Sequence, residues 1–143
     1  MIEKRFSSAQ DAQRAFYEAF ERADLGAMMA VWAEDEEIVC AHPGGARHCG
    51  IVEVRESWRQ IFEQGPQLRF RIAGEKNYPG RVLSVHSLYE QVSVAGDARP
   101  PSVVLATNIY ILTDRGWRML AHHASAPAQP LPGSDEPPPS MLH

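Results

Sequence analysis

A chain of 143 residues with 44% hydrophobic and 22% charged side chains is one domain's worth, and at that length a core forms without disulfides or metal. A formal net charge of −4 with no run of lysines or arginines argues against nucleic acid and anionic membrane as partners. The N-terminal MIEKRFSSAQDAQ lacks the apolar centre of a signal peptide, and no apolar run approaches the roughly 18 residues of a membrane span. The expectation is a soluble, cytoplasmic protein whose two cysteines, Cys40 and Cys49, stay reduced.

The first 25 residues read as a helix. Ser7 or Ser8 caps it, Ser8 and Asp11 form a weak capping box, and Ala12, Ala15, Phe16, Ala19, Phe20 and Ala23 recur at helical spacing. Asp24 reads as a second N-cap, opening a short helix from Leu25 to about Ala33 with Leu25, Met28, Met29 and Trp32 on its buried side. The acidic Glu34–Glu37 run ends it as a solvated turn. Ile38–Ala41 is short and apolar, hence a strand, and Pro43, Gly44 and Gly45 break it. Helical spacing returns from Ile51 to Glu63, with Val54, Trp58, Ile61 and Phe62 inward, until Gly65 and Pro66 stop it.

After Pro66 the period is that of strands. Leu68, Phe70 and Ile72 alternate with Arg69 and Arg71, which face solvent. Residues 81–95, 102–113 and 117–125 are three longer strands, the last two joined at Asp114-Arg115-Gly116 as an antiparallel hairpin. Both faces of the strand at 102–113 are apolar, so both need cover. Helices supply one, and a second copy of the chain, making a homodimer through the outer sheet face, is the economical cover for the other. Residues 126–143, with six prolines, read as an extended or disordered tail after a domain spanning residues 1–125.

The stretch CAHPGGARHCG, Cys40–Gly50, gathers both cysteines and two of the six histidines. Cys40 and His42 share a strand face, whereas His48 and the adjacent Cys49 diverge, so four ligands do not converge and no metal site is expected. A redox sensor built on Cys40 and Cys49 is a weaker alternative. No phosphate loop or dinucleotide fingerprint occurs, and no cofactor is expected.

Three blocks carry a family resemblance. AFYEAFERADLGAMMAVWAEDEEIVCAHPGG, CGIVEVRESWRQIF and IYILTDRGWRMLAHHAS resemble, in order, the opening, the third-helix element and the last hairpin of the nuclear transport factor 2-like superfamily, whose cystatin-like cone includes SnoaL-like proteins. The last block also resembles the association domain of calcium/calmodulin-dependent kinase two. The resemblance implies an α+β fold: three N-terminal helices packed on a strongly curved, mostly antiparallel sheet, a cone-shaped barrel. For function it implies a small organic ligand in an apolar pocket, with isomerase, cyclase or hydratase/hydrolase chemistry by proton transfer, or else self-association alone.

The same resemblance suggests residue roles. Ketosteroid isomerases of this superfamily carry a general base just before a proline at the first strand's end, where this chain has Ala41-His42-Pro43. Imidazole is competent there, since its ordinary pKa is near 6.5; the alternative for His42 is a polar residue closing a strand. Asn108 matches the isomerases' oxyanion donor, and an amide donates without a raised pKa. Their tyrosine aligns with Phe16, leaving Tyr17 about 100° round the helix. Counting from the Gly116 turn puts His123, not His122, on the face of Asn108; a slip of one residue would exchange them. His42, Asn108 and His123 are the candidate catalytic residues, with Tyr17, Trp32, Trp58 and Tyr110 as candidate pocket walls or core.

Overall fold

The structure, a computed structural model, describes residues 5–128. Helix α1 (Ala9–Arg22) begins at Ser8, whose hydroxyl accepts a 3.0 Å bond from the Asp11 N–H. It ends at Ala23, held left-handed at φ 52° with its N–H turned back to Ala19 and Phe20. Helix α2 (Leu25–Val31) follows at once, capped by the Asp24 carboxylate on the Ala27 N–H. Both caps satisfy N–H groups that a helix start otherwise leaves open.

Strands β1 (Val39–Ala41) and β2 (Arg47–Cys49) form a short hairpin over the Pro43–Gly45 turn. Strand β2 was not apparent from the sequence, because three residues are too few for a period. Helix α3 (Gly50–Gln64) leads into β3 (Leu68–Pro79), β4 (Leu83–Val94), β5 (Ser102–Thr113) and β6 (Gly116–Ser125). The sheet order is β2-β1-β6-β5-β4-β3, with every neighbour antiparallel except β1 and β6.

Two irregularities bend the sheet into a cone, as bulges do. One lies in β3 between Ala73 and Lys76, where Gly74 sits at φ 58°. The other lies in the β5–β6 ladder: Ile109 pairs with Ala121 but Tyr110 pairs with Met119, so Leu120 is an extra residue. The helices close the concave side, burying Phe16, Met28, Val31, Trp32, Ile38, Val54, Trp58, Leu88, Tyr110 and Met119. Phe16, Phe20 and Trp58 meet edge to face at centroid distances of 4.8 to 6.0 Å, the arrangement that aromatic quadrupoles favour. Arg69, Arg71 and Glu34–Glu37 are exposed as their pattern predicts.

Residues 129–143, most of the expected C-terminal tail, lie outside the described residues; 126–128 carry no helix or strand. Among the described residues no helix is long and apolar enough to cross a membrane.

Candidate functional site

The concave face of the sheet is not uniformly apolar. Alternation along β4 turns Ser84, His86, Leu88 and Glu90 inward, β5 adds Ala106, Asn108 and Tyr110, and β6 adds Met119 and His122. Burial requires these polar groups to find one another, and they do so as two clusters that meet where Asn108 reaches Tyr110.

The first is a row that crosses three elements. The Tyr17 hydroxyl, from α1, donates a 2.6 Å hydrogen bond to Glu90 Oε2. Asn108 Nδ2 donates to the Tyr17 oxygen at 3.0 Å. Asn108 Oδ1 then faces His122 Nδ1 at 2.6 Å. Since the amide nitrogen is turned to Tyr17, the amide oxygen must accept, so His122 carries its proton on Nδ1 and its lone pair on Nε2. Burial pushes the Glu90 carboxyl up to about 7, with the Tyr17 bond pulling the other way. Burial pushes His122 down to about 3, assisted by His42 and His123. Tyr17 is raised well above its ordinary value by burial and then by Glu90. At neutral pH the row therefore holds one titrating group among neutral ones.

The second cluster lies further along the cone. Gln13 Oε1 accepts from the Tyr110 hydroxyl at 3.1 Å and from His86 Nδ1 at 2.8 Å, while His86 Nε2 takes the Ser84 hydroxyl at 2.8 Å. Gln13 Nε2 donates to Glu75. Every polar atom of His86 is thus satisfied in its neutral form, and burial lowers its pKa.

His42 stands beyond the far end of the first row. Its ring centroid is 6.2 Å from that of His122 and 4.7 Å from the Trp58 ring, edge to face. Its Nε2 is 3.5 Å from both Cys40 Sγ and Ser57 Oγ; the second is long for a hydrogen bond. Burial, then the neighbouring His48, lowers His42 to about 4. His42 lines a cleft of about 410 Å³ shared with His48, Ser57, Gln60, Ile61 and Leu68. Between α1 and β3, Tyr17 lines a smaller cleft of about 240 Å³ with Gln13, Phe70, Ile72 and Glu75. The polar row thus runs from near one opening to near the other.

The expected residues fall unevenly on this geometry. Asn108 is central, and Tyr17 reaches it although Phe16 also points inward, because the helix lies close enough for both rings to enter the core. His123 is corrected: it is exposed on the convex face, and His122 takes the inner position opposite Asn108. The cause is the Leu120 bulge, which flips the alternation between the turn and the histidines. Trp32 and Trp58 are fully buried core residues whose indole N–H groups have no hydrogen-bond partner among the described residues; neither lines a cleft, though Trp58 touches the His42 ring. Tyr110 belongs to the second cluster. Sequence reasoning missed Glu90, Gln13, His86 and Ser57. In SLYEQVSV the two-residue period sets Glu90 on the face of Leu88, Val92 and Val94, and a carboxyl on that apolar face is the signal that could have found it.

Cys40 is buried and its thiol is pushed up by burial, which suppresses the reactive thiolate. Cys49 is half-buried. Among the described residues no three histidine, cysteine or acidic side chains are placed to hold a metal.

A curved sheet closed by three helices over a buried polar row defines an α+β cone of the cystatin-like type. The family described as SnoaL-like domain matches residues 10–129, and the chain belongs to that family. A crystal structure from Thiobacillus denitrificans, named for a calcium/calmodulin-dependent protein kinase type II association domain, is 35% identical, with a TM-score of 0.82 over 87% of this chain and 99% of that one. One from Streptomyces avermitilis, named for a dehydratase of the NTF2-like family, is 26% identical, with a TM-score of 0.76 over 84% and 94%. A ketosteroid isomerase-like protein from Erwinia carotovora atroseptica shares the fold at 18% identity, with a TM-score of 0.64 over 81% and 91%. No curated protein matches the chain.

Proposed function

We propose that this protein binds a compact, mostly apolar organic molecule at the His42 side of the cone and acts on it by proton transfer, as an isomerase, cyclase or hydratase/hydrolase does. The supporting observation is His42: a half-buried, neutral imidazole on the wall of a cleft of about 410 Å³, within a ring's width of an internal polar row. In this reading His42 exchanges a proton with the ligand, and Asn108, buried and lining neither cleft, orients His122 instead of touching the ligand. The third role passes from His123 to His122. Ile61 and Leu68 give the cleft its apolar wall, and Trp58 backs the His42 ring from the core. The dehydratase name of the relative at 26% identity agrees with this chemistry.

The reading is tested by titrating the protein with a panel of compact cyclic ketones and enones while following tryptophan fluorescence, since Trp58 packs against the His42 ring. A ligand found in this way should bind His42→Ala about tenfold more weakly. Equal affinity of wild type and His42→Ala for every ligand found, or no ligand at all, removes this reading.

A second reading, non-catalytic self-association, is favoured by the convex sheet face. Val85, Tyr89, Val103, Leu105 and Ile109 alternate outward there and are only half-buried. The relative at 35% identity bears the name of an association domain. A homodimer through this face fits either reading. Sedimentation equilibrium at micromolar concentration should give a dimer that Leu105→Asp dissociates; a monomeric wild type excludes it.

A further inference from the structure

Glu90 is an acid without a counter-ion. It is 3% exposed, has no ion-pair partner among the described residues, and its one hydrogen-bond partner there is the Tyr17 hydroxyl. The elements packed round it offer no cation. Helix α1 presents Tyr17 and, a turn on, Glu21, whose carboxylate is engaged by the Phe70 N–H. Strand β3 presents Phe70 and Ile72, β5 presents Val104, Asn108 and Tyr110, and β4 itself presents His86. An isolated carboxyl in such a place is costly in its charged form, and its neutral form brings a proton that must also be satisfied.

The row beyond Glu90 can satisfy either form. With Glu90 ionised, the Tyr17 O–H points at the carboxylate, Asn108 Nδ2 points at Tyr17, and His122 must hold its proton on Nδ1. With Glu90 protonated, the acid O–H has Tyr17 Oη as its only acceptor among the described residues. Tyr17 then turns its own O–H to Asn108, the amide rotates by half a turn to offer Oδ1, and Nδ2 now faces His122 Nδ1. That nitrogen must become the acceptor, so the ring proton moves to Nε2. Every bond in the row is kept and every direction is reversed.

We propose that Glu90 is a positioning residue for His122: its protonation state selects the direction of the Glu90–Tyr17–Asn108–His122 row and thereby decides which imidazole nitrogen carries the proton. The proton balance closes. One proton is taken up from solvent at Glu90, and the ring releases its Nδ1 proton while receiving one on Nε2, so it stays neutral throughout. His122 Nε2 is an acceptor when Glu90 is charged and a donor when Glu90 is neutral. The inference builds on the proton-transfer reading above, to which it adds a switch between a base-ready and an acid-ready His122. The other groups leave the switch to Glu90. Burial keeps His122 uncharged above about pH 3 and keeps Tyr17 protonated, whereas Glu90 titrates near 7.

The test uses the unliganded full chain labelled with ¹⁵N and needs no turnover, so it can fail while the proton-transfer reading stands, and the reverse. Long-range ¹H–¹⁵N correlation spectra distinguish a neutral ring protonated on Nδ1, one protonated on Nε2, and the imidazolium. Between about pH 9 and about pH 5, wild-type His122 is expected to exchange the signatures of its two nitrogens, with a midpoint near that of Glu90. Glu90→Gln, which keeps the shape but cannot titrate, and Tyr17→Phe, which cuts the row, should each abolish the exchange. A single tautomer across the range in wild type overturns the proposal. So does appearance of the imidazolium in place of a tautomer change, or an exchange that persists in whichever of the two variants folds.

Discussion

Asn108 and His122 face each other across the β5–β6 ladder, and a 2.6 Å hydrogen bond joins their side chains in a place closed to water. Asn108 also donates to Tyr17, so a single amide completes two buried partners that come from different elements. Asn108→Ala removes both bonds and leaves a tyrosine oxygen and an imidazole N–H without their partner. Each such orphan costs on the order of 1–3 kcal/mol. Urea unfolding should show Asn108→Ala less stable by about 3 kcal/mol, with the native circular dichroism retained. A loss below about 1 kcal/mol would mean that water replaces the amide and that the row is not a dry, continuous chain.

Glu90 makes stability depend on pH in the direction opposite to most carboxylates. Its folded-state pKa, about 7, lies above the 4.5 of an unburied glutamate. Between those values the folded chain holds a proton that the unfolded chain has lost, so stability is full below about 4.5 and falls as pH rises through about 7. The shift corresponds to at most about 3 kcal/mol at alkaline pH. Thermal unfolding should find Glu90→Gln more stable than wild type at about pH 8, with the advantage gone near pH 4. An unchanged difference at both ends would place the carboxyl in contact with solvent.

His42 works on the acid side. Its folded pKa, about 4, is below the ordinary 6.5, so the unfolded chain takes up a proton first as pH drops. Stability from this group is present above about 6.5 and is lost as pH falls towards 4. His122, depressed to about 3 by the same burial, adds to the effect. Acid unfolding of His42→Gln should therefore begin at a lower pH than in wild type. A midpoint that does not move would show that His42 is already solvated.

Much of this fold is legible in the chain itself. The caps at Ser8 and Asp24, the helical spacing on either side of them and the Gly116 turn are local signals, and each governs the element beside it. Asn108 and His42 are legible through the family resemblance, which matches them to a hydrogen-bond donor and to a base set just before a proline. The rest depends on relations between elements. Strand β2 forms only because β1 is there to pair with, Glu90 matters only because Tyr17 reaches it from α1, and the inner face of β6 is decided by one extra residue at Leu120. A single bulge inverts every side-chain assignment beyond it, and so the count from Gly116 put His123 where His122 lies.

Ala23 and Gly116 show where backbone conformation, not side-chain contact, limits stability. Ala23 ends α1 at φ 52°, a left-handed geometry that costs a residue with Cβ about 1–2 kcal/mol. Ala23→Gly relieves that strain but gives the unfolded chain more freedom, worth about 0.4–1 kcal/mol, so a net gain of about 0.5 kcal/mol is expected. Gly116 is the opposite case. It stands at φ 90°, and an added Cβ would lie 2.8 Å from the Phe6 carbonyl oxygen, the same oxygen that accepts the Trp117 N–H. Backbone on both sides cannot give way, so Gly116→Ala should cost about 3 kcal/mol and loosen the β5–β6 hairpin from the chain's start. Gly44, also at positive φ but with nothing within 4 Å of the added atom, supplies the control, with Gly44→Ala expected to cost only about 1–2 kcal/mol. Equal losses at Gly116 and Gly44 in urea unfolding would show that the Phe6 contact carries no weight.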